Sequence, residues 1–255
     1  MKKEEYPILE FDDTPVAKIE PSLYHHKTEG YEYCVITFFR EVLENMEKKG
    51  LIKVIKLLNC ETLDMPIYEM EYMGKKVHLF LGYVGAAGSA AFLEELIASG
   101  FDKFIVCGGA GVLRKDIAVG HLVIPTSAVR DEGVSYHYLA PAREVECNPE
   151  VVEKIGEELD RCKIAYIKAK TWTTDSFYRE TEQKIALRKS EGCVTVEMEA
   201  AAFFAVAKFR NVKLGQILYG GDDLSAVTWD SRKWHSRTEI RENLVDISIR
   251  ICLAL

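Results

Sequence analysis

One short segment constrains the fold of this 255-residue chain most strongly, because it orders an apolar run, a small-residue turn, a helix and a second apolar run. Residues 77–84 are mostly apolar, Gly85-Ala-Ala-Gly88 interrupts them, and Ser89 is the predicted cap of the helix that follows. A second apolar run at 104–107 leads into Gly108-Gly-Ala-Gly111, a predicted glycine turn. This βαβ-like order favours a parallel or mixed sheet.

The alternation of strands and helices continues along the chain. Helices are predicted at 35–49, 149–161, 181–190, 200–209 and 240–253. Further strands are predicted at 121–125, 164–169, 193–196 and 214–219. Since no linker rich in Pro, Gly or Ser divides the chain, we predict an α/β fold: one domain over residues 1–255, a three-layer α/β/α sandwich with a mixed central sheet.

Charge and composition limit the partners of the chain. A formal net charge of -7 argues against binding to nucleic acid or to an anionic membrane, because both need a basic surface. The start of the chain lacks the apolar run of a secretory signal, and no long apolar stretch follows. The seven cysteines and six histidines show no metal-ligand spacing. We therefore expect a cytoplasmic protein with a small-molecule substrate and no metal.

The glycine turns raise the question of a dinucleotide cofactor. Gly109 and Gly111 follow a strand, but Arg114 stands where the dinucleotide fingerprint needs a third small residue. No nicotinamide or flavin cofactor is therefore predicted. Glycines at such places let backbone N–H groups approach an oxyanion or a ribose, although packing alone also explains tight turns.

Two carboxylates in Thr195-Val-Glu197-Met-Glu199 are the sharpest candidate for chemistry. They lie where an apolar strand meets an Ala-rich apolar helix, without Lys or Arg nearby in the sequence. Buried acids are costly unless they bind something, and sugar hydroxyls would satisfy them. The alternative is that both acids only stabilise the helix N-terminus electrostatically.

A second acidic motif, Gly220-Gly-Asp222-Asp223, follows the predicted strand at 214–219. In open α/β sheets, ligands bind beside the carboxyl ends of strands. A carboxylic acid next to a partly dry pocket can act as a general acid, so Asp222 is a candidate proton donor. The alternative is a turn-forming role, because Asp often begins Asx turns.

Aromatic residues mix with polar ones between Trp172 and Glu180, a composition suited to stacking on a planar base. A loop packed for its own stability explains the same composition equally well. Phe177 is the candidate for contact with the base.

Six segments in the same order resemble the nucleoside phosphorylase family, which includes uridine phosphorylase and the hexameric purine nucleoside phosphorylases. They are the turn at 84–89, Cys107-Gly-Gly-Ala-Gly111 with 117–123, 129–133, Thr174-Asp-Ser-Phe-Tyr178, Val196-Glu-Met-Glu-Ala200 and Gly221-Asp222.

The resemblance implies cleavage of a nucleoside at its N-glycosidic bond, with phosphate as co-substrate and no cofactor, in a homo-oligomer (dimer, trimer or hexamer). Glu199 would bind the ribose hydroxyls, Met198 would lie under the sugar and Glu197 nearby. Asp222 would protonate a purine base, assisted by Arg232 or Arg237. The implied base-binding residues are Phe177, Thr174, Gly109 and Ala110.

The chain departs from the family pattern at the phosphate site. The family's arginines have no counterpart in residues 19–26, at Val106 or around residues 57–64. Because phosphate is a dianion, it needs cations from elsewhere, and we name Gly85, Gly108, His25 and Arg114 as candidate phosphate-binding residues.

The first hypothesis is therefore phosphorolysis of a purine or related nucleoside. The alternatives are hydrolysis on the same fold, as in the nucleosidases of methylthioadenosine and adenosylhomocysteine, and nucleoside binding without turnover.

Overall fold

The computed structural model describes residues 2–255. These residues form ten strands and six α-helices, besides short 3-10 turns. In chain order they are β1 Tyr33–Thr37, α1 Arg40–Lys48, β2 Lys53–Asn59, β3 Asp64–Tyr72, β4 Lys75–Leu81, α2 Ala86–Ser99, β5 Lys103–Val112, β6 Leu122–Asp131, β7 Glu144–Glu146, α3 Pro149–Arg161, β8 Tyr166–Thr174, α4 Glu182–Ser190, β9 Cys193–Glu197, α5 Ala200–Arg210, β10 Lys213–Asp223 and α6 Thr238–Cys252.

All ten strands belong to one mixed sheet, which confirms the predicted mixed α/β fold. The hydrogen-bonded order is β10-β6-β8-β9-β5-β1-β4-β3-β2, with β7 beside β6. The helices pack in two groups, α2 with α5, and α1 and α3 with α6. No helix among residues 2–255 has both the length and the apolar composition to cross a bilayer.

Strand β5 changes its neighbour halfway along, and this change positions the site. Residues 103–107 pair with the parallel strand β1, whereas Gly111 and Val112 pair with the antiparallel strand β9. Strand β10 runs along the other edge of β5. Because β1 is parallel to β5 and β9 antiparallel, the carboxyl ends of β1 and β9 meet beside Gly108 and Gly109. We call this place the fork.

The predicted helix at 35–49 is wrong in its first part. Residues 33–37 form β1, and the helix α1 begins only at Arg40. Cys34, Val35 and Ile36 are buried between β4 and β5. A continuous apolar run is typical of a central parallel strand covered on both faces, and three residues are too few to reveal which period applies.

The predicted glycine turn at 108–111 and the Ser89 cap are also wrong. Gly108–Gly111 lie within β5, because pairing with β10 and β9 continues the strand through them. Helix α2 already begins at Ala86, after Gly85 with φ +99°, and the Ser89 hydroxyl donates to the carbonyl of Tyr83 from inside the helix.

Helices α3 and α5 form where their sequences indicate. The Asn148 side chain accepts hydrogen bonds from the N–H groups of Glu150 and Val151, and Pro149 occupies the first turn of α3. Residues 200–207 of α5 are all buried, and the helix ends at Asn211 in the left-handed conformation. The strands β2, β3 and β7 were not predicted.

Candidate active site

A cleft of about 210 Å³ lies at the fork, where the ends of β1 and β9 face each other across the glycines of β5. It brings together five residues named from the sequence with six that were not. The lining residues are Phe38, Phe39, Val84, Gly108, Gly109, Glu197, Met198, Glu199, Gln216, Leu218 and Trp234.

Glu199 is buried at the wall of this cleft, only 6% exposed. Its Oε1 accepts a hydrogen bond of 2.6 Å from the backbone N–H of Gly85. The left-handed φ of Gly85 turns this N–H toward the glutamate at the start of α2. Because one oxygen is fixed by the backbone, the carboxyl group has a defined orientation, and no side chain among residues 2–255 donates a hydrogen bond to its Oε2.

Glu197 has a different set of contacts. Its Oε1 accepts a hydrogen bond from the Thr173 hydroxyl at 2.6 Å, and its Oε2 accepts the N–H groups of Glu199 and Ala200 at 2.8 and 2.6 Å. The side chain therefore caps the start of α5. The helix-stabilising alternative considered for the two acids describes Glu197 well, whereas Glu199 accepts a hydrogen bond from Gly85 and lines the cleft.

Burial has the largest effect on the pKa of both acids. It raises the pKa of Glu199 to about 8, and the neighbouring Glu197 carboxylate adds to the rise. Burial also raises the pKa of Glu197 to about 7, against the lowering effect of its three hydrogen bonds. A ligand that donates hydrogen bonds or develops positive charge would favour the ionised form of Glu199.

Gln216, which the sequence analysis did not name, also lines the cleft. It is 1% exposed, and among residues 2–255 neither its Oε1 nor its Nε2 has a hydrogen-bond partner. Leaving a buried polar group unpaired costs about 1–3 kcal/mol. The signal in the sequence is a single amide in the otherwise apolar stretch 214–219 of β10.

Trp234 lines the cleft, and contacts with Tyr219 and Arg241 fix its position. The Tyr219 hydroxyl donates to the Trp234 carbonyl at 2.8 Å. The Arg241 guanidinium lies 5.3 Å from the Trp234 ring centroid and 5.1 Å from that of Phe39. Since Arg241 also pairs with Glu41, its charge is compensated outside the cleft.

Asp222 lies at the same end of the sheet. Its Oδ2 accepts a hydrogen bond of 2.7 Å from the Trp229 indole N–H, and its Oδ1 is 3.6 Å from the place where Gly111 would carry a Cβ. Glu180 was not predicted as a site residue. Burial raises its pKa to about 7, and the nearby Asp222 charge adds to the rise. Asp222 therefore borders the loop after β8.

Phe177 lies in this loop, half exposed, with its ring centroid 4.1 Å from that of Tyr178. Thr174 is buried, and its hydroxyl accepts a hydrogen bond from the Ser176 N–H. Ala110 is buried in a small apolar cluster and does not line the cleft, unlike its neighbour Gly109. Like Ala110, the predicted site residues Phe177, Thr174 and Asp222 are not among the residues that line the cleft.

The two arginines named as helpers of Asp222 have other contacts. Arg232 pairs with Asp223 and donates to the Ile117 carbonyl at 2.8 Å. Arg237 donates to the Arg232 carbonyl at 2.7 Å. Both therefore hold the segment after β10 in place, and neither contacts Asp222.

The candidate phosphate-binding residues fall into two groups. Gly85 and Gly108 lie at the site, whereas His25 packs on α2 with its Nε2 3.3 Å from Glu95, and Arg114 pairs with Asp116 at the surface. Within the part of the chain that the structure describes, no Lys, Arg or His lines the cleft. The same residues contain no cluster of three metal-ligating side chains.

Among the described residues, aromatic rings, and not cationic side chains, line the cleft next to the end of β1. Phe38 and Phe39 come directly after β1, and a Cβ on Gly108 would lie only 3.1 Å from the Phe38 ring. The glycine at 108 therefore serves close packing of the ring on β5. Two consecutive aromatics before a helix were the signal in the sequence, but the wrong prediction of a helix at 35–49 concealed it.

The forked mixed sheet, with a buried glutamate in a cleft beside the glycines of β5, makes this molecule a mixed α/β protein. A family model described as the phosphorylase superfamily matches residues 32–248. The chain therefore belongs to the phosphorylase superfamily, an enzyme family.

Individual relatives are similar over part or most of the chain. A guanosine phosphorylase of Halorubrum lacusprofundi is 27% identical over 163 residues, which cover 63% of this chain and 66% of the relative, slightly less than two thirds of its length. The purine nucleoside phosphorylase of Toxoplasma gondii in complex with immucillin-H has a TM-score of 0.73 at 19% identity, covering 88% and 91% of the two chains. An AMP nucleosidase from Bacteroides thetaiotaomicron has a TM-score of 0.70 at 22% identity, covering 87% and 86%.

Proposed function

We propose that this protein cleaves the N-glycosidic bond of a purine or related nucleoside. The observation that carries the proposal is Glu199, which is buried in the cleft with one oxygen fixed by Gly85 and the other left for a ligand. A carboxylate in this position accepts hydrogen bonds from vicinal ribose hydroxyls. It also stabilises the positive charge that develops on the sugar as the bond to the base breaks.

The leaving base is assigned to the outer side of the site. Asp222 borders the loop that carries Phe177, so an aromatic face and a proton donor are available to a planar base. Protonation makes a purine a better leaving group and typically contributes about 10²- to 10⁴-fold in rate. We assign Asp222 as the general acid, Phe177 as the base-stacking residue and Met198 as the residue beneath the sugar.

Two oxygen nucleophiles are candidates. Phosphate, which gives free base and a pentose-1-phosphate, is supported by family membership and by relatives such as the guanosine phosphorylase. Water is supported by the lining of the cleft, which in residues 2–255 offers two acids, an amide and aromatic rings but no cation. A dianion is held poorly by such a surface.

A panel of purine and pyrimidine nucleosides, incubated with the protein in phosphate-free buffer and in phosphate, tests the proposal. We expect release of free base from a purine nucleoside, detected chromatographically. The sugar product identifies the nucleophile, as pentose-1-phosphate or free pentose. Binding without release of any base would contradict the proposed function and support a nucleoside-binding protein.

A further inference from the structure

The amide of Gln216 is a buried polar group that the proposed roles of Glu199 and Asp222 do not use. In β10 the position of Gly215 faces Val151 and Ile155 of α3, since a Cβ there would contact their side chains. Side chains alternate along a strand, so Gln216 and Leu218 share the opposite face, and both line the cleft.

A ligand for this amide must have both a donor and an acceptor. Oε1 only accepts and Nε2 only donates, and both are without partners among the described residues. A hydroxyl group or a water molecule satisfies both atoms at once. Hydrogen phosphate, the dianion near neutral pH, keeps one hydroxyl that can donate to Oε1, so hydrogen bonding alone does not exclude it and the charges of the cleft decide.

The charges around Gln216 select against an anion. Glu197 and Glu199 line the same cleft, and the rest of its lining is apolar, aromatic or glycine. The Arg241 guanidinium, which lies against the Trp234 ring, is paired with Glu41. A neutral group is therefore the best fit to the inner part of the cleft.

We propose that Gln216 positions a water molecule as the nucleophile, so that the reaction at this site is hydrolysis. The inference rests on the proposed function. The water oxygen forms the new bond to C1′ while the C1′–N bond breaks, and the electron pair of that bond leaves with the base. Asp222 gives the base a proton. The attacking water loses one proton to solvent in the cleft, and solvent reprotonates Asp222, so the products are the free base and the free pentose.

The test compares Gln216→Met, which keeps the length of the side chain but removes the amide, with the wild-type protein. Gln183→Met is the matched control, because Gln183 is the other glutamine of the chain and lies exposed on α4. We expect Gln216→Met to lower kcat for base release in phosphate-free buffer by at least about 10-fold with KM changed less than about threefold. The control should keep the wild-type values.

A second readout separates positioning from general damage. When methanol is added, it competes with water for the sugar, and the ratio of methyl pentoside to free pentose reports on the nucleophile site. We expect this ratio to rise severalfold in Gln216→Met, since an apolar side chain no longer favours water. A melting curve shows whether Gln216→Met folds. If it does not, Gln216→Asn replaces it, because its amide is one methylene group further from the cleft. This variant should lower kcat similarly.

The outcomes distinguish the inference from the proposed function. Base release that requires phosphate and yields pentose-1-phosphate would overturn the inference and leave the proposed function intact. An unchanged kcat and an unchanged methanol ratio in a folded Gln216 variant would also overturn it. No base release from any nucleoside by the wild-type protein would overturn the proposed function itself.

Discussion

Glu197 and Glu199 are two positions apart in the chain, yet the fold uses them differently. All hydrogen bonds of Glu197 are with Thr173 and the start of α5, while Glu199 accepts one from the Gly85 N–H and lines the cleft. Both are isolated from solvent, so their protonation is tied to folding as well as to any ligand.

Glu199 should destabilise the empty protein at high pH. Its pKa is near 4.5 in the unfolded chain and about 8 in the folded protein, so the folded state binds more protons between these values. Stability therefore falls as pH rises from about 4.5 to about 8. We predict that Glu199→Gln raises the free energy of unfolding by more than about 1 kcal/mol at pH 8.5 and changes it little at pH 4.5.

Denaturant titrations of the wild-type protein and Glu199→Gln at these two pH values check the prediction. Base release by the variant should fall by at least about 10²-fold at pH 8.5, because the neutral amide cannot stabilise a developing positive charge. An equal stability difference at both pH values would show that the carboxyl group is not protonated by burial.

Asp222→Asn should affect substrates according to their leaving groups. We predict a loss of about 10²- to 10⁴-fold in kcat for a purine nucleoside, whose base needs a proton. For p-nitrophenyl riboside, whose phenolate leaves without protonation, the loss should be less than about 10-fold. Steady-state kinetics with the two substrates measure the difference, and equal losses would remove Asp222 from the role of general acid.

The site residues that could be predicted from the sequence are those whose chemistry conflicts with their surroundings. Acids beside an apolar strand indicated Glu197 and Glu199, which line the cleft, and also Asp222, whose role stays a prediction. Phe38 and Trp234 gave no such conflict, because aromatic residues are as common in cores as in binding sites. Gln216 did conflict with its apolar strand, and reading every lone polar residue in this way would have found it.

The glycine run of β5 was predicted as a turn from its local sequence, but it lies within a strand. Four small residues in a row predict a turn, because glycine weakens a strand when only local preferences count. Here the strand continues because β10 pairs along it, and Gly109 and Gly111 leave room for Tyr219, Leu224 and Val196. The pairing partner lies about 100 residues further along the chain, so no local pattern reveals it.

The start of α2 is the element that fixes Glu199, and Gly85→Ala tests it. A Cβ there meets no other atom within 4 Å, but φ is +99°, so the substitution should cost about 1–3 kcal/mol of stability through backbone strain alone. We also predict at least about 10-fold slower base release, because the shifted N–H no longer holds Oε1.

Gly192→Ala provides the control for strain. Gly192 has φ +89° with no atom within 4 Å of a Cβ, and it precedes β9 at the end away from Glu197. Thermal melts and kinetics should show a similar loss of stability but unchanged kcat. If both variants lost activity equally, strain and not the contact with Glu199 would explain the effect.

The segment between β10 and α6 depends on Tyr219 for the position of Trp234. Tyr219→Phe removes the hydrogen bond to the Trp234 carbonyl, and we predict a loss of about 1 kcal/mol in stability. Because Trp234 lines the cleft, KM should rise severalfold while kcat changes little. Denaturant titration and steady-state kinetics measure both, and an unchanged KM would separate Trp234 from substrate binding.

The candidate site forms where strands from distant parts of the sequence meet in the sheet. Alternating strands and helices were enough to predict a mixed α/β fold from the sequence. The fork was not predictable, since β1, β5 and β9 come from separate parts of the chain and β5 changes its partner between residues 107 and 111. Sheet pairing of this kind is set by global packing and not by local periodicity.

The last prediction concerns the oligomeric state of the protein. The resemblance to nucleoside phosphorylases implies a homo-oligomer, and we expect light scattering after size exclusion to give a dimer, trimer or hexamer. A monomer under the conditions of the activity assay would contradict this prediction.

The proposed function requires that the cleft at the fork holds a ribose against Glu199 with its base toward Asp222. A crystal structure of Asp222→Asn soaked with an intact purine nucleoside tests it most directly, because the variant should bind the substrate without cleaving it. We predict ribose hydroxyls within about 3 Å of Glu199 Oε2 and the base between Phe177 and residue 222. A nucleoside bound elsewhere, or with its sugar turned away from Glu199, would contradict the account.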